Sequence, residues 1–259
     1  MSVDDFIKYE LNSQIKIYNK YLKGSSNLKF PTLEQTITTA TFGSYTNTST
    51  FSTYLDSLEL NFFNIWDSNV REGYLLGIPT KKIVQDVVGV QAGNVKLAEA
   101  GAMHTFRNSV MANTRTALQA MANDTRKLVM SNNEELFDGY EWVSTLDRRS
   151  CLVCANLGGK KYKRITDFGE QPPIHYNCRC LIVPVISGYD DLNDGDTRAS
   201  EGKEVSSNMT YEEWLKTQNK LVQLEVLGPV RYKIFKETGS IGDFVNNGEI
   251  IPVKELLKQ

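Results

Sequence analysis

All four cysteines of the chain, and one of its two histidines, fall between positions 151 and 180. The order is Cys151-Leu-Val-Cys154, a Gly158-Gly159 turn, a basic stretch, and then His175-Tyr-Asn-Cys178-Arg-Cys180. A C-x2-C hook closed later by H-x2-C-x-C brings thiol and imidazole donors together on two short loops. A loop-rich segment with little core surrounds a tetrahedral ion in this way. We read it as a structural zinc knuckle. Cys151, Cys154, His175, Cys178 and Cys180 are five donors for an ion that takes four, so one is spare. The C-x2-C hook is the firmer half. In the second hook His175 with Cys178, His175 with Cys180, and Cys178 with Cys180 are all sterically allowed. Disulfides and unliganded buried thiols are the competing readings, and stable disulfides are rare in a reducing compartment.

That compartment is read from what precedes the hooks. The opening Met-Ser-Val-Asp-Asp-Phe-Ile-Lys lacks the basic-then-apolar run of a secretion signal. No stretch approaches the roughly 18 to 20 apolar residues of a membrane helix. Of 259 residues 41% are hydrophobic, enough for a real core in one large domain or two small ones. The net charge of −2 gives no global signature of a nucleic-acid or membrane-surface protein, so any DNA contact has to be local.

Helical spacing of Ile7, Leu11, Ile15, Tyr18 and Leu22 predicts an amphipathic helix that stops at Gly24-Ser-Ser. Residues 31 to 53 are crowded with Thr, Ser and Asn, which compete for backbone hydrogen bonds, and read as an irregular polar connection with at most one helical turn. A second helix carries Leu55, Leu58, Phe62, Ile65 and Trp66 and breaks near Gly77-Ile-Pro79; a short one runs from Thr80 to Val88-Gly89. From Ala92 to about Asn133, Ala102, Phe106, Val110, Ala117, Met121 and Leu128 predict one long helix or two nearly collinear ones.

The pattern then changes. Residues 140 to 145 alternate like a strand, the hooks follow, and Cys180-Leu-Ile-Val-Pro-Val-Ile reads as a closing strand with Pro184 suited to an edge. Residues 187 to 209 are almost without apolar content and read as a flexible linker. Thr210-Tyr-Glu-Glu213 is a capping box, after which Trp214, Leu215, Leu221, Leu224 and Leu227 supply a helical face. The expected class is α+β: a helical domain at 1–138 with a long helix, a small zinc-stabilised β module at 139–186, a linker at 187–209 and a helical tail at 210–259.

A catalytic zinc would have three protein ligands, an open position and a nearby general base. The nucleobase deaminases place Glu two residues after the histidine, ahead of P-C-x-x-C. Here Asn177 stands at that position and the C-x2-C comes first. The other histidine, His104, falls within the long helix, and no phosphate-binding G-x4-G-K-[ST] is present. We assign no catalytic residue and no organic cofactor. Lys160, Lys161, Lys163 and Arg164, with Arg148, Arg149 and Arg179, make the module locally basic. The plain reading is a solvated surface whose arginines hold acids such as Asp147 or Asp167. The functional one makes Lys160, Lys161, Lys163 and Arg164 candidate DNA contacts through phosphates. Tyr140 and Trp142 are expected in the module's core.

The stretch from Tyr140 to Lys160 and then Pro172-Pro-Ile-His175-Tyr-Asn-Cys178-Arg-Cys180 resembles the Mu F-like minor head protein family of tailed bacteriophages. That family carries W-x-S/T-x-x-D-x-R-x-C-x-x-C-x-x-x-x-G followed by P-P-x-H-x-x-C-R-C. Asn113-Thr-Arg115-Thr-Ala upstream, and Thr210-Tyr-Glu-Glu-Trp214 with Glu225-Val-Leu-Gly228-Pro-Val-Arg231 downstream, are similar in a looser sense, so the resemblance covers residues 92 to 259. The chain departs at Gly158, where Asp is usual, and at Tyr176, where Pro is usual. The resemblance implies a minor capsid protein for head morphogenesis, associated with the portal protein, in reach of the major capsid protein and packaged DNA, and not an enzyme. It implies a place in the virion, inside the capsid or near the portal, after assembly in the host cytoplasm. The rival reading is a metal-dependent hydrolase or nuclease acting on DNA, which the scarcity of His and of paired carboxylates beside the cysteines disfavours.

Overall fold

The computed structural model describes residues 2–22, 27–42, 44–46, 49–88, 102–169, 171–186 and 197–258. The chain forms two compact units. The first is Met1–Leu11, Thr32–Thr125 and Ile174–Asn177; the second is Asn12–Pro31, Arg126–Pro173 and Cys178–Gln259. Mostly helical, with small antiparallel sheets, it is compatible with an α+β class.

The first unit holds the start of α1 (Val3–Tyr21), then α2 (Leu33–Phe42), β1 (Ser44–Thr46), β2 (Ser49–Thr50), α3 (Phe51–Leu75), α4 (Thr80–Val88) and most of α5 (Ala102–Ser131). Ile7, Ala40 and Met121 form its buried cluster, with Phe6 and Ile37 against it. The polar connection expected over 31–53 is therefore corrected: it contains α2, the β1–β2 pair and the start of α3. A capping box begins α2, with Gln35 N–H donating to Thr32 Oγ1 at 3.2 Å and Thr32 N–H to Gln35 Oε1 at 2.9 Å. Thr36 then donates its hydroxyl to the Thr32 carbonyl at 2.8 Å, so a side chain expected to disrupt the helix is satisfied inside it. Thr114 and Thr116 on α5 do the same, to Val110 and Ala112. The expected start of the long helix at Ala92 lies outside the described residues.

In the second unit Asn133 is fully buried just beyond α5. Its amide donates to the carbonyls of Val129 and Lys29, each at 2.7 Å, and accepts the Lys29 N–H at 2.8 Å. Next come β3 (Gly139–Val143), α6 (Leu152–Leu157), β4 (Lys161–Tyr162) and β5 (Leu181–Val185). Strand order is β4-β3-β5, all antiparallel, with Trp142 opposite Ile182 and Tyr140 opposite Pro184. Pro184 sits on an outer strand, where its missing N–H breaks no ladder bond.

The rest of the unit differs from expectation. Residues 187–196 lie outside the described residues, but 197–209 are no flexible linker: β6 (Thr197–Ala199) and β7 (Glu204–Ser206) form a hairpin. Its single apolar anchor, Val205, is buried. Arg198 reaches across to the Ser144 carbonyl, and Glu201 N–H donates to the Leu146 carbonyl at 2.8 Å. Beyond it lie α7 (Tyr211–Thr217), α8 (Lys220–Thr238), β8 (Val245–Asn246), β9 (Glu249–Ile250) and α9 (Val253–Leu256). The capping box at Thr210 and Glu213 forms as expected, at 3.2 and 2.7 Å. Gly228, at φ 69°, breaks α8, and Pro229 restarts it. The separate helical tail is likewise corrected: Tyr211, Trp214, Leu215, Leu227, Phe235 and Phe244 share one core with Leu146, Leu152 and Ala155 of the cysteine module.

Candidate metal centre

Cys151 is the N-cap of α6, and its Sγ accepts the Cys154 N–H at 3.3 Å. The turn that follows points Leu152 and Ala155 into the shared core and buries Cys154. Ser144 on the chain leaving β3 donates its hydroxyl to the Cys154 carbonyl, tying the first hook to the sheet. At Gly158 a Cβ would meet Ser144 Oγ at 2.8 Å, so a side chain there requires Ser144 to move. The second hook leads directly into β5, with Cys178 and Cys180 both buried.

The hooks converge. The donor atoms of Cys154, Cys178 and Cys180 lie within 4.8 Å of one another, as do those of Cys151, Cys154 and His175; Cys154 belongs to both groups. The sulfurs of Cys154 and Cys178 are 3.9 Å apart. A tetrahedron with metal–sulfur bonds of about 2.3 Å has an edge of about 3.8 Å, so this spacing already suits two thiolates on one ion. His175 Nδ1 lies 2.8 Å from the Tyr176 carbonyl, which can only accept; Nδ1 thus carries the proton and Nε2 keeps its lone pair for a metal.

Electrostatics agrees with a site built for a cation. Contacts with Cys151, Cys178 and Cys180, then burial, push the Cys154 thiol up. The Cys180 thiol is pushed up to about 12: its bond with Cys154 holds it down, but contact with Cys178 and burial outweigh that. Bonds among the sulfurs and burial favour the protonated thiols, with thiolate repulsion a smaller contribution, and a divalent ion among them reverses the balance. The residues can hold a metal ion.

Asp147 and Arg179 fasten the two hooks to each other. The guanidinium is bidentate on the carboxylate, with Nη2 to Oδ1 at 2.8 Å, and Arg149 N–H and the Ser150 hydroxyl donate to the same Oδ1. Burial works against the Asp147 charge, yet the Arg179 bond and charge hold its pKa below the ordinary carboxylate value. The Asp147 main-chain carbonyl accepts from Tyr211 at 2.9 Å, and Arg148 bonds Glu201 at 2.6 Å and Glu225 at 2.9 Å.

Lys160, Lys161, Lys163 and Arg164 lie together on β4 and its flanks, all exposed. Lys161 faces Glu141 at 3.5 Å, Lys163 donates to the Asp138 carbonyl at 3.2 Å, and Arg164 pairs with Asp167 at 3.2 Å. The expectation that Asp147 and Asp167 hold arginines is met, and much of the local positive charge is answered within the module. His104 lies on α5 with Asn108 at 3.3 Å. Sequence reading did not find Ser144 as the tie to the first hook. The strand alternation that turns Tyr140, Trp142 and Ser144 to one side was the available signal.

In comparisons with known proteins, no family model, no curated protein and no solved structure matches this chain. No helix among the described residues is long and apolar enough to cross a membrane.

Proposed function

We propose that this chain is a structural, portal-associated minor head protein of a tailed phage, with zinc held by the Cys/His hooks. The observation that supports it most is what the motif residues of the resemblance do. Trp142 is fully buried, and its carbonyl accepts the Gly159 N–H at 2.9 Å, with Gly159 at φ 84°. Asp147 clasps Arg179, and the Cys/His donors gather in two groups that share Cys154. Each is engaged in construction, which is how a stapled recognition scaffold differs from a hydrolytic centre. Thiolate and imidazole donors, with Cys154, Cys178 and Cys180 buried and Cys151 and His175 partly so, suit zinc, which when bound supplies a tetrahedral crosslink between the hooks. The chain's own part is to present Cys151 and Cys154 from the α6 cap, and Cys178 and Cys180 from the run into β5.

In this reading the protein occupies the capsid interior near the portal, contacts the portal and capsid proteins, and touches packaged DNA weakly through Lys160, Lys161, Lys163 and Arg164. Co-expression with the portal protein of the encoding phage, followed by affinity purification and mass spectrometry of purified virions, tests it. Co-elution and presence in particles at low copy are expected. Metal-dependent DNA cleavage by a chain that is absent from particles would overturn the assignment in favour of a nuclease.

A further inference from the structure

All four cysteines are reduced thiols. Two of them, one from each hook, face each other: the Cys154 and Cys178 sulfurs are 3.9 Å apart, and each residue is only 2% exposed. A disulfide is about 2.05 Å long, so closing the gap takes roughly 1.9 Å of sulfur movement. Side-chain rotation supplies that without moving the backbone, which the Ser144 hydroxyl holds at the Cys154 carbonyl. Bonds within either hook meet obstacles. Cys151 caps α6, its sulfur accepting the Cys154 N–H at 3.3 Å, and a bond to it would withdraw that acceptor. A Cys178–Cys180 bond would have to close over Arg179 alone, whose guanidinium is fixed on Asp147 by two hydrogen bonds.

We propose that Cys154 and Cys178 are a modification site: a peroxide joins them in a disulfide, which takes over the crosslink that a metal ion otherwise supplies. One sulfur attacks a peroxide oxygen, the O–O bond breaks, and hydroxide leaves with the thiol proton as water, giving a sulfenic acid. The other sulfur then attacks the first; the S–S bond forms, the S–O bond breaks, and a second water departs with the second thiol proton. The two thiols lose two electrons and two protons, and hydrogen peroxide is reduced to two waters. Because Cys154 is common to both donor groups, the bond takes a ligand from each, and the ion is released. That release rests on the metal reading above; the bond itself does not. The disulfide spans the 24 positions between the two residues, so the hooks stay tied when the ion goes. In a reducing compartment the ion holds the hooks; where an oxidant replaces the reductant, the disulfide does.

The test uses the full chain purified under reducing conditions, its zinc content measured first. The protein is treated with one equivalent of hydrogen peroxide, alkylated, and digested without reduction. Trypsin cuts after Arg149, Lys160, Arg164 and Arg179, so Cys178 and Cys180 fall on different peptides, and fragmentation in the mass spectrometer separates Cys151 from Cys154. A Cys154–Cys178 crosslink is expected, with zinc release, followed by a chromogenic chelator, rising in step with it. Dithiothreitol followed by zinc should restore the starting state. The oxidised protein should keep amide protection over Arg126–Pro173 and Cys178–Gln259 in excess chelator, a protection that Cys178→Ser loses. The crosslink is read on the unsubstituted protein and does not depend on any variant folding. A Cys151–Cys154 or Cys178–Cys180 product, or sulfinic acid with no crosslink, overturns the proposal. The Cys154–Cys178 crosslink in a protein that holds no zinc supports the modification site and overturns the metal reading alone.

Discussion

Charged side chains in the first unit pair with neighbours one helical turn away, Arg71 with Asp67 and Lys82 with Asp86. In the second unit local pairs such as Arg164 with Asp167 and Lys216 with Glu212 are joined by pairs across the chain: Arg179 with Asp147 over 32 positions, Arg148 with Glu225 over 77, Lys29 with Glu135 over 106. Apolar burial follows the same division. Trp214, Tyr211 and Phe244 are enclosed in the second unit, whereas Leu60, Phe63, Trp66, Tyr74 and Leu75 of α3 are exposed. Local pairs stabilise a helix without defining what it packs on, whereas long-range pairs define a tertiary structure. The second unit is accordingly the more uniquely specified, and the four cysteines belong to it.

Removing the metal should separate the two units most strongly. A chelator under reducing conditions, or Cys154→Ser at the residue common to both donor groups, is expected to abolish amide protection over Arg126–Pro173 and Cys178–Gln259 while α2 to α4 keep theirs. Hydrogen exchange read by mass spectrometry checks this; equal losses in both units would break the comparison. Next in size, Trp214→Ala should destabilise the second unit by about 3–5 kcal/mol, against about 0.5 kcal/mol or less for Trp66→Ala on the exposed face of α3. Denaturant titration of the two variants measures the contrast. Smaller again, Arg198→Ala leaves the Ser144 carbonyl without its donor and should cost about 1–3 kcal/mol, and it should open the 197–206 hairpin to limited proteolysis, from which the parent protein is protected.

The smallest expected effect concerns acid. Burial is the largest influence on the Asp147 carboxyl and would raise it, but the Arg179 bond and charge, the Arg149 N–H and the Ser150 hydroxyl together hold it below its unfolded value. Its contribution is therefore complete above the unfolded carboxylate value of about 3.9 and lost as pH falls through the lower folded value. Asp147→Asn should be less stable than the parent protein near neutrality, and the difference should shrink on acidification through that window. Thermal unfolding of both proteins across pH reads it out, with acid release of metal common to the two. A constant difference at all pH values would remove the charge from the explanation.

The hooks, the strands that frame them, the long helix and the Thr210 cap were legible because each rests on contacts within a few residues. What sequence reading missed is long-range. The hairpin at 197–206 has one buried apolar residue, Val205, and gains its order from Arg198 on Ser144 and from Arg148 on Glu201, 54 and 53 positions away. A composition argument reads such a segment as a linker, because its partners are invisible locally. For α2 the failure was chemical: threonine hydroxyls that compete with a helix when solvated can also be absorbed by its own carbonyls. At the centre, donor types and spacing were readable, but the sharing of Cys154 between two donor groups became visible only with the fold.

Asn133 binds Lys29 through both its amide donor and its carbonyl. The 104 positions between them are mostly the first unit, so the second unit is discontinuous along the chain. On a ribosome adding about 5–20 residues per second, Lys29 emerges roughly 5–20 s before Asn133 is made. During that interval residues 12–31 have no finished partner, while the residues between can already form their own helices. Synthesis thus lets the helices of Thr32–Thr125 form first, and the second unit closes only once the chain has come back to its beginning.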